Sequence, residues 1–421
     1  NFKGSTVNNK MDYMFNNCLS LKTITLLNLD LSLTNNLNHM FNKLTSLENL
    51  NIRNLESSSV TDYSYMFNEC RSLVSLDLSN FKGSKVGNTM EYMFNNCNNL
   101  NKLNLSNFDT SLTKSMKYMF NYCYSLDNLN LPNLDLSSVT DFSYMFSNCL
   151  SFTSVNLSQF TGSKVSNIMK NMFNNCENLV SLDLSNLDIS FTTDISQIFK
   201  GCNNIQYINL SNLKANNISN FSYMFDNMNN LVSLDLSNFK GSLIENKMDY
   251  MFNNCNSLKT ILLSNLDLSL TNNLNHMFNK LTSLENLNII NLESSSVTDY
   301  SYMFNECKSL VSLDLSNFKG SKFDNTMEYM FNNCNNLVKL NFSNLDTSFT
   351  KSMKYMFKNC YSLNNLILQN LNLSSVTDFS YMFSNCIAFT SFDLSQFTGS
   401  KVKNIMKNMF NNCENLISLD L

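Results

Sequence analysis

The sequence is poor in the residue types on which many active sites and membrane segments depend. Its 421 residues contain no Trp, two His, one Pro and eight Gly, and only 15% are charged. There is no nucleophile–base pair, no Gly-rich phosphate loop and no metal-binding cluster, so the sequence predicts that the protein is not an enzyme and needs no cofactor. No apolar run reaches the roughly 18 residues of a membrane-spanning helix. Scarce Gly and Pro leave little room for flexible linkers.

The charge of the chain argues against one class of partner. The formal net charge is −4, whereas a protein that binds nucleic acid needs a basic stripe that displaces counterions. A charged content of 15% with a hydrophobic content of 43% also excludes a disordered tail and a charged coiled coil. The sequence therefore predicts a folded protein without a nucleic-acid partner.

One short motif, Met-Phe or a close variant, returns along the whole chain. The Phe of this motif, called the marker Phe below, recurs at intervals of 26, 26 and 27 residues. The marker residues are Phe15, Phe41, Phe67, Phe94, Phe120, Phe146, Phe173, Phe199, Phe225, Phe252, Phe278, Phe304, Phe331, Phe357, Phe383 and Phe410. Each repeat is one rung, and such self-similarity indicates a solenoid whose rungs bury their apolar residues against each other.

Two longer periods are superimposed on the rung. Three rungs make a 79-residue unit with a Lys/Thr-Gly-Ser turn, and nine make a 237-residue block, because residues 11–184 match residues 248–421. The sequence predicts one continuous solenoid over residues 1–421, and both ends fall inside a repeat, as expected for a window on a longer chain. The recurring Gly, which includes Gly320, predicts a turn position with positive φ.

Each rung contains two short patterns. Met-x-x-Met-Phe-x-x-Cys, first found at residues 11–18, has apolar residues at i, i+3, i+4 and i+7, which predicts a two-turn helix. Thr140 is predicted to be the N-cap of one such helix, and Asp141 an acidic residue in its first turn. Leu76 and Leu78 alternate with polar residues, which predicts a strand with one buried face. The fold predicted is an α/β solenoid of about 16 rungs, with a parallel sheet on one face and short helices on the other.

These motifs resemble those of a known family. Leu-x-x-Leu-x-Leu-x-Asn, which spans residues 73–80, is the strand signature of leucine-rich repeats. Its combination with Met-x-x-Met-Phe-x-x-Cys resembles the BspA-like leucine-rich-repeat surface proteins, in the branch common in mycoplasma lipoproteins. The resemblance covers nearly the whole chain. It implies a position at the cell surface or outside the cell, and adhesion as proposed for some members, but no catalytic residues.

The cysteines occupy one slot, three residues after the marker Phe. They are Cys18, Cys70, Cys97, Cys123, Cys149, Cys176, Cys202, Cys255, Cys307, Cys334, Cys360, Cys386 and Cys413. Leu44, Met228 and Leu281 fill the slot in the other rungs, which indicates an apolar core position. Disulfides or a metal array are the alternative, but thirteen is an odd number and no His accompanies the cysteines. The sequence predicts a structural ladder of unpaired thiols and no metal.

A second ladder of amides follows the strands. It comprises Asn28, Asn54, Asn80, Asn107, Asn133, Asn186, Asn212, Asn238, Asn265, Asn291, Asn317, Asn344 and Asn370, with Gln159 and Gln396 in two further rungs. A side-chain amide both donates and accepts, so a stack of amides could satisfy the backbone groups of buried turns. Ligand binding is the alternative role.

The outward positions of the strands form the usual binding surface of leucine-rich repeats, as the resemblance implies. One column contains Asp77, Asn104, Asp183 and Asp235, and Tyr207 is the one large aromatic in the column beside it. Oxygens repeated at rung spacing are compatible with Ca²⁺. A solvated polar face is the simpler interpretation.

The tyrosines form a row two residues before the marker Phe. Its members are Tyr13, Tyr65, Tyr92, Tyr118, Tyr144, Tyr223, Tyr250, Tyr302, Tyr329, Tyr355 and Tyr381. On a helix this slot points away from the apolar stripe, so the row should face outward and is a candidate interaction surface. In the alternative, the rings lie over neighbouring helices and only shield the core. His39 and His276 occupy the same slot and are duplicated copies of one surface residue, because they lie at equivalent positions of the 237-residue blocks.

The regular periods, the open ends and the tyrosine row favour a structural role. We expect a fibre or coat element, extracellular or at the cell surface, that associates with copies of itself through its helix side, its ends or both. The alternative is an adhesin or protein-binding module that uses the polar sheet face to bind a host or matrix protein.

Overall fold

The protein is described here by a computed structural model. It describes residues 9–27, 31, 33–53, 59–79, 89–106, 108–127, 135–156, 167–183, 189–210, 217–236, 246–263, 268, 270–289, 295–316, 318, 320, 322–343, 345–368, 371–395 and 404–420. The chain forms two compact units, Asn1–Ile205 and Gln206–Leu421. Each unit holds eight marker Phe residues. One continuous solenoid over residues 1–421 stays a prediction.

Both units are built from short parallel strands. The strands of the first unit are β1 (Asn9–Lys10), β2 (Thr23–Leu27), β3 (Thr34–Asn36), β4 (Asn49–Arg53), β5 (Ser75–Asp77), β6 (Lys102–Asn104), β7 (Ser154–Asn156), β8 (Asn167–Ile168), β9 (Ser181–Asp183) and β10 (Thr192–Asp194). The strands of the second unit are β11 (Ser233–Asp235), β12 (Asn246–Lys247), β13 (Thr260–Leu262), β14 (Thr271–Asn273), β15 (Asn286–Asn288), β16 (Ser312–Asp314), β17 (Asn325–Thr326), β18 (Lys339–Asn341), β19 (Thr350–Ser352), β20 (Asn365–Ile367), β21 (Ser391–Asp393) and β22 (Ser418–Asp420).

One set of strands carries the leucine pattern. These leucine strands pair in parallel with the strand one rung away, as β5 does with β6, where Ser75 lies opposite Lys102. Leu76 points inward and is buried, whereas Ser75 and Asp77 are exposed. The predicted strand and the parallel pairing of the leucine-rich repeat are therefore confirmed.

A second parallel ladder lies five to seven residues before the marker Phe. Its strands pair as β1 with β3 and β8 with β10 in the first unit, and as β12 with β14 and β17 with β19 in the second. In other rungs a single residue forms the bridge, as Asp62 does with Asn36 of β3 and with Thr89 of the next rung. Neighbouring rungs are thus hydrogen-bonded on two sides, as in a β-solenoid.

The predicted two-turn helix is wrong. No α-helix occurs among the described residues, and the Met-x-x-Met-Phe-x-x-Cys segment is a succession of turns. In one rung the N–H groups of Tyr65, Phe67 and Glu69 donate to carbonyls of the next rung at 2.8–2.9 Å. The intervening N–H groups and that of Cys70 donate to the carbonyl three residues back, at 3.1–3.2 Å. Every N–H in this stretch is satisfied without the bonds four residues back that define a helix.

Backbone conformation and spacing explain why turns form here. Tyr65 and Glu69 have φ of 57° and 59°, and an α-helix cannot continue through left-handed residues. Helices are about 10 Å across, whereas strands stack about 4.8 Å apart, so one helix per rung would require the solenoid to curve, while turns can stack at the spacing of the strands. Asp141, the expected helix start, instead accepts the N–H of Ser143 at 2.8 Å in an Asx turn.

The interior consists of stacks in which each rung contributes the same residue type. Phe67 and Phe94, for example, have ring centroids 5.6 Å apart and planes that differ by 2°. The Met and Cys slots lie beside this Phe stack and are also buried in most rungs. Because burying one such side chain is worth about 1.5–3 kcal/mol, each rung is stabilised mainly by its neighbours.

Gly320 shows why the recurring turn needs glycine. Its φ is not positive, so the expectation of a left-handed backbone is wrong at this residue. A Cβ atom built on Gly320 would overlap the carbonyl oxygen of Asp346, in the next rung. The close approach of two backbones therefore selects glycine here. The other five recurring Gly residues lie outside the described ranges.

Candidate interaction surfaces

The predicted tyrosine row forms a stack of aromatic rings in each unit, called the aromatic column below. In the first unit it contains Tyr13, His39, Tyr65, Tyr92, Tyr118 and Tyr144, and in the second Tyr223, Tyr250, His276, Tyr302, Tyr329, Tyr355 and Tyr381. Neighbouring ring centroids are 4.3–4.9 Å apart, and their planes differ by 6–22°. Asn171 and Gln197 take the slot in the first unit, and Asn408 takes it in the second.

The rings of the aromatic column are half-buried. Each ring within the stack covers the face of its neighbour, while Tyr13, at one end, is 52% exposed. The row therefore lies partly at the surface, and it belongs to stacked turns and not to helices. It offers ring edges and hydroxyl groups to a partner, because the ring faces are already occupied by neighbouring rings. A role of this row in binding stays a prediction.

Burial and positive charges shape the electrostatics of the aromatic column. Partial burial, together with the neighbouring Tyr302 and Tyr355, raises the pKa of Tyr329 to about 12. The Lys354 and Lys358 ammonium groups each lie 5.2 Å from the centre of the Tyr355 ring. The Tyr329 phenol is thus neutral at physiological pH, and cations lie beside part of the column.

The two histidines are members of the aromatic column. His276 lies between Tyr250 and Tyr302, with centroids at 4.3 and 4.5 Å. Burial lowers the pKa of His276 to about 4, against the opposing effect of the Asp299 carboxylate. Its Nδ1 also contacts the Asn275 side-chain oxygen. His276 is therefore neutral at physiological pH and acts as an aromatic ring in the stack.

The structure contains an amide ladder that the sequence reasoning missed, one residue after the marker Phe. Its members are Asn16, Asn42, Asn68, Asn95 and Asn121 in the first unit, and Asp226, Asn253, Asn279, Asn305 and Asn332 in the second. Each side-chain amide donates to the side-chain oxygen of the preceding rung at 2.6–2.8 Å. Asn68 is 6% exposed, so these bonds lie largely away from water and lock the rung register.

A sequence signal for the turns existed in the slot two residues after the marker Phe. All sixteen rungs have positive φ at this slot, and Asn fills ten of them and Gly one. Asn and Gly are the residues that most readily adopt a left-handed backbone. Several of these Asn side chains also bond between rungs, as Asn359 does to Asn333 at 2.6 Å. Their recurrence could have indicated turns in place of a helix.

The cysteine ladder consists of unpaired thiols. All thirteen are free, and eleven are buried, with Cys18 exposed and Cys413 partly exposed. The Cys70 thiol donates to the carbonyl of Phe41 in the preceding rung at 3.2 Å, and the same bond recurs along the ladder. Burial raises the pKa of Cys70 to about 12. These thiols are part of the core and do not form disulfides.

The predicted amide ladder after the strands cannot be placed. Asn80, Asn107 and Asn133, together with the other Asn and Gln residues of that slot, lie outside the described residues. Their role in satisfying buried turns stays a prediction.

The strand face of the first unit carries a shallow depression. It is lined by Ser75, Leu76, Asp77, Asn101, Lys102, Leu103, Asn104 and Asp127. Asp77 and Asn104 each use a side-chain oxygen to accept the N–H two residues later, at 2.9 and 3.1 Å. Within the described ranges, no three His, Cys, Asp or Glu side chains are grouped to hold a metal ion. Binding of Ca²⁺ gains no support from this arrangement.

The fold and its stacked turns define a leucine-rich-repeat β-solenoid. The family described as "Mycoplasma protein of unknown function, DUF285" matches residues 9–127, 75–179, 167–262, 246–365 and 325–419. The chain belongs to this family, which confirms the resemblance to the mycoplasma branch of BspA-like proteins.

The chain is also similar to several solved bacterial structures. One is a leucine-rich repeat protein from Bacteroides ovatus, at 20% identity over 86% of this chain and 76% of that chain, with a TM-score of 0.42. A second, from Eubacterium ventriosum, has 16% identity over 82% and 83%, with a TM-score of 0.35. A third, a leucine rich cell surface protein from Faecalibacterium prausnitzii, has 16% identity over 73% and 83%, with a TM-score of 0.34. No curated protein matches the chain. Across the described ranges, no helix is long and apolar enough to span a membrane.

Proposed function

We propose that the protein is a non-enzymatic structural repeat protein of the cell surface or extracellular space, and that it associates laterally with copies of itself. The aromatic column is the observation that carries this proposal. The resemblance to BspA-like surface proteins supports the location. The contact lies on the turn face, which consists of the aromatic column and the residues beside it.

Periodicity is the reason to favour a copy of the same chain as partner. The column repeats one ring per rung. The ring centroids of Tyr65 and Tyr92 are 4.5 Å apart, and those of Tyr92 and Tyr118 are 4.6 Å apart. Only a partner with the same repeat can make the same contact at every rung. Tyrosine edges that combine an apolar ring with a hydroxyl group are well suited to protein interfaces. Many weak, identical contacts then add to a stable assembly through multivalency.

The chain itself supplies matched variants for the test. Asn occupies the tyrosine slot at Asn171 and Asn408, and His occupies it at His276, all with positive φ. Tyr92→Asn with Tyr118→Asn removes two rings but keeps a native occupant of the slot. Tyr92→His with Tyr118→His keeps the ring stack and serves as the control.

Sedimentation velocity of the full chain over a range of concentrations measures the effect. We expect concentration-dependent association of the wild type. The double Asn variant should weaken it roughly tenfold or more, the loss of about 1.4 kcal/mol of contact energy. The His control keeps a ring edge and loses the hydroxyl group, so it should weaken association less than the Asn variant. A wild type that remains monomeric, or an Asn variant that associates equally well, contradicts the proposal.

A protein-binding role of the strand face is a second candidate, and one observation favours it. Asn101 borders the depression on the first unit, and its buried Oδ1 accepts no hydrogen bond from any described residue. Such a group can be satisfied by a partner. Asn101→Ala with Lys102→Glu should reduce adhesion to surfaces coated with host or matrix proteins and leave self-association unchanged. Equal adhesion of variant and wild type rejects this role.

A further inference from the structure

A position eight residues before the marker Phe follows the three-rung period. Its residues are Val7, Leu33, Ser59, Val86, Leu112, Ser138, Val165, Phe191, Asn217, Ile244, Leu270, Ser296, Phe323, Phe349, Ser375 and Val402. Two rungs in three carry a large apolar residue, and the third carries Ser or Asn. We name the apolar members of this position the apolar column.

The described members of the apolar column do not belong to the core. Its six described members are Leu33, Leu112, Phe191, Leu270, Phe323 and Phe349, and each is between 38% and 57% exposed. By contrast, Leu31 lies two residues before Leu33 and is 1% exposed. In a rung with a polar residue, the Ser138 hydroxyl donates to the carbonyl of Ser111 in the preceding rung at 2.6 Å. Among the described residues, exposed apolar side chains thus alternate with polar positions, and Phe323 and Phe349 are the adjacent apolar pair of which both members are described.

Phe323 and Phe349 form the best-described part of the apolar column. They lie in adjacent rungs and are 57% and 40% exposed. A Phe side chain buries on the order of 200 Å², so the pair exposes on the order of 200 Å² of ring surface. Asp324 and Lys351 lie beside it, and their charged groups are 3.2 Å apart. An apolar centre bordered by both signs of charge is the composition of an interface centre with a polar rim.

We propose that the apolar column is a lateral contact surface for a second copy of this chain, with Phe323 and Phe349 as its best-defined anchor. This inference rests on the proposed self-association and adds a contact separate from the aromatic column. It gives the three-rung period a function, because pairs of apolar residues and polar gaps on one copy meet the same spacing on another.

Charge complementarity favours a copy of the chain over an unrelated partner. In an isologous contact, residue i of one copy meets residue j of the other, and the reverse. Asp324 of one copy can then face Lys351 of the second, while Lys351 of the first faces Asp324 of the second. Both pairs set the register around the phenyl rings, a role in which charged groups at an interface rim are effective.

The exposed area determines the kind of assembly. About 200 Å² at the phenylalanine pair is well below the roughly 800 Å² per partner of a standard stable interface. A single anchor therefore gives a weak contact. Association becomes strong only when several three-rung units engage together, so the surface suits an array of aligned chains better than an isolated tight dimer.

The first test removes the rings. Phe323→Ser with Phe349→Ser, in the full chain, should raise the dissociation constant of self-association roughly tenfold or more in sedimentation velocity. The control is Val311→Ser with Val338→Ser, which changes an adjacent pair that is 49% and 37% exposed beside the leucine strands. The control should associate like the wild type. Circular dichroism and the urea unfolding midpoint establish that each variant is folded.

The second test works by charge reversal in two chains. Asp324→Lys and Lys351→Asp should each weaken self-association, because each places like charges opposite one another. An equimolar mixture of the two variants should associate better than either alone, since opposite charges then meet across the contact. An ion pair that acts only within one chain cannot produce this recovery.

The outcomes separate the inference from the proposal on which it rests. If the wild type associates and the tyrosine variants weaken it, but the phenylalanine and charge variants behave as wild type, the apolar column is not the contact. If the mixture of charge variants shows no recovery, the two-fold arrangement is wrong. A wild type that stays monomeric at all concentrations overturns both the self-association and this surface.

Discussion

The Tyr65 ring lies on the Tyr92 ring, with centroids 4.5 Å apart and planes 8° apart. Both residues nevertheless hold a left-handed backbone, with φ of 57° and 56°. This conformation costs roughly 1–2 kcal/mol for a residue other than Gly. A stacked pair is worth about 0.5–1.5 kcal/mol, and each Tyr N–H also bonds to the next rung. Stacking and inter-rung bonds together offset the strain and hold the turns in place.

Tyr92 should therefore contribute to stability as well as to the surface. Tyr92→Asn removes two ring contacts, with Tyr65 and Tyr118, and is expected to lower the free energy of unfolding by about 1–3 kcal/mol. Tyr92→His keeps a stacked ring, as at His276, and should lower it by less than about 1 kcal/mol. Urea unfolding followed by circular dichroism measures both. Equal unfolding midpoints for the two variants would show that stacking does not support the turn.

The buried amide ladder predicts a strong effect at Asn68. Its amide donates to Asn42 at 2.8 Å, and its oxygen accepts from Asn95 at 2.7 Å. Asn68→Ala removes both bonds and leaves buried groups unsatisfied, so we expect a loss of about 2–4 kcal/mol. The control is Asn415→Ala, which loses one exposed bond to the Ile387 carbonyl and should cost less than about 1 kcal/mol. Similar losses in both variants would contradict the structural role of the ladder.

The cysteine ladder predicts a loss of stability in alkali. Burial raises the pKa of Cys70, Cys123 and Cys176 to about 12, from 9.0 for a free thiol. Above pH 9 the unfolded chain loses thiol protons that the folded chain retains, so the free energy of unfolding falls as pH rises. Each buried thiol contributes up to about 1.4 kcal/mol per pH unit between these values.

Cys123→Leu removes one thiol and so measures its contribution alone. Leu is suited to the slot because Leu44 occupies it in another rung. The unfolding free energy of the variant should match the wild type near pH 7 to within the cost of repacking, and should decline less steeply from pH 9 to 10.5. Urea titrations at stepped pH provide the two slopes. Parallel curves for variant and wild type would mean that Cys123 ionises as readily in the folded chain as in the unfolded one.

His276 predicts a sensitivity to acid. Burial lowers its pKa to about 4 from 6.5, so between these values the unfolded chain binds a proton that the folded chain does not. The stabilisation by neutral His276 is present above pH 6.5 and is lost as pH falls toward 4. His276→Tyr introduces the usual occupant of the slot and should flatten the stability profile in this range. An unchanged profile, measured by thermal unfolding at stepped pH, would contradict the assignment.

The sequence was sufficient for the rung, the strands and the core, because these depend on which residues are apolar. The stripe of residues 11–18 at i, i+3, i+4 and i+7 is shared by a helix and by stacked turns, since both place those side chains on one side. The bonds that decide between them, such as Phe67 N–H to the Met93 carbonyl at 2.9 Å, join residues one rung apart. Local periodicity contains no information about such bonds.

The aromatic column was also predicted only in part, because local periodicity contains no information about contacts between rungs. An outward position of Tyr65 was expected from helix geometry, and the structure reaches it through a left-handed backbone. Neither the stacking on Tyr92 nor the amide ladder at Asn68 follows from one rung alone, because both need the rung spacing. The Asn residues two positions after the marker Phe, such as Asn359, were the available sign of left-handed turns.

The central claim is that the Met-x-x-Met-Phe-x-x-Cys segments are stacked turns joined by bonds between rungs. Far-ultraviolet circular dichroism of the full chain tests it most directly, because the segment makes up eight of every 26 or 27 residues. The stacked turns predict a spectrum of strand and turn without a helical double minimum. A double minimum that corresponds to about a third of the residues in helix would contradict the account.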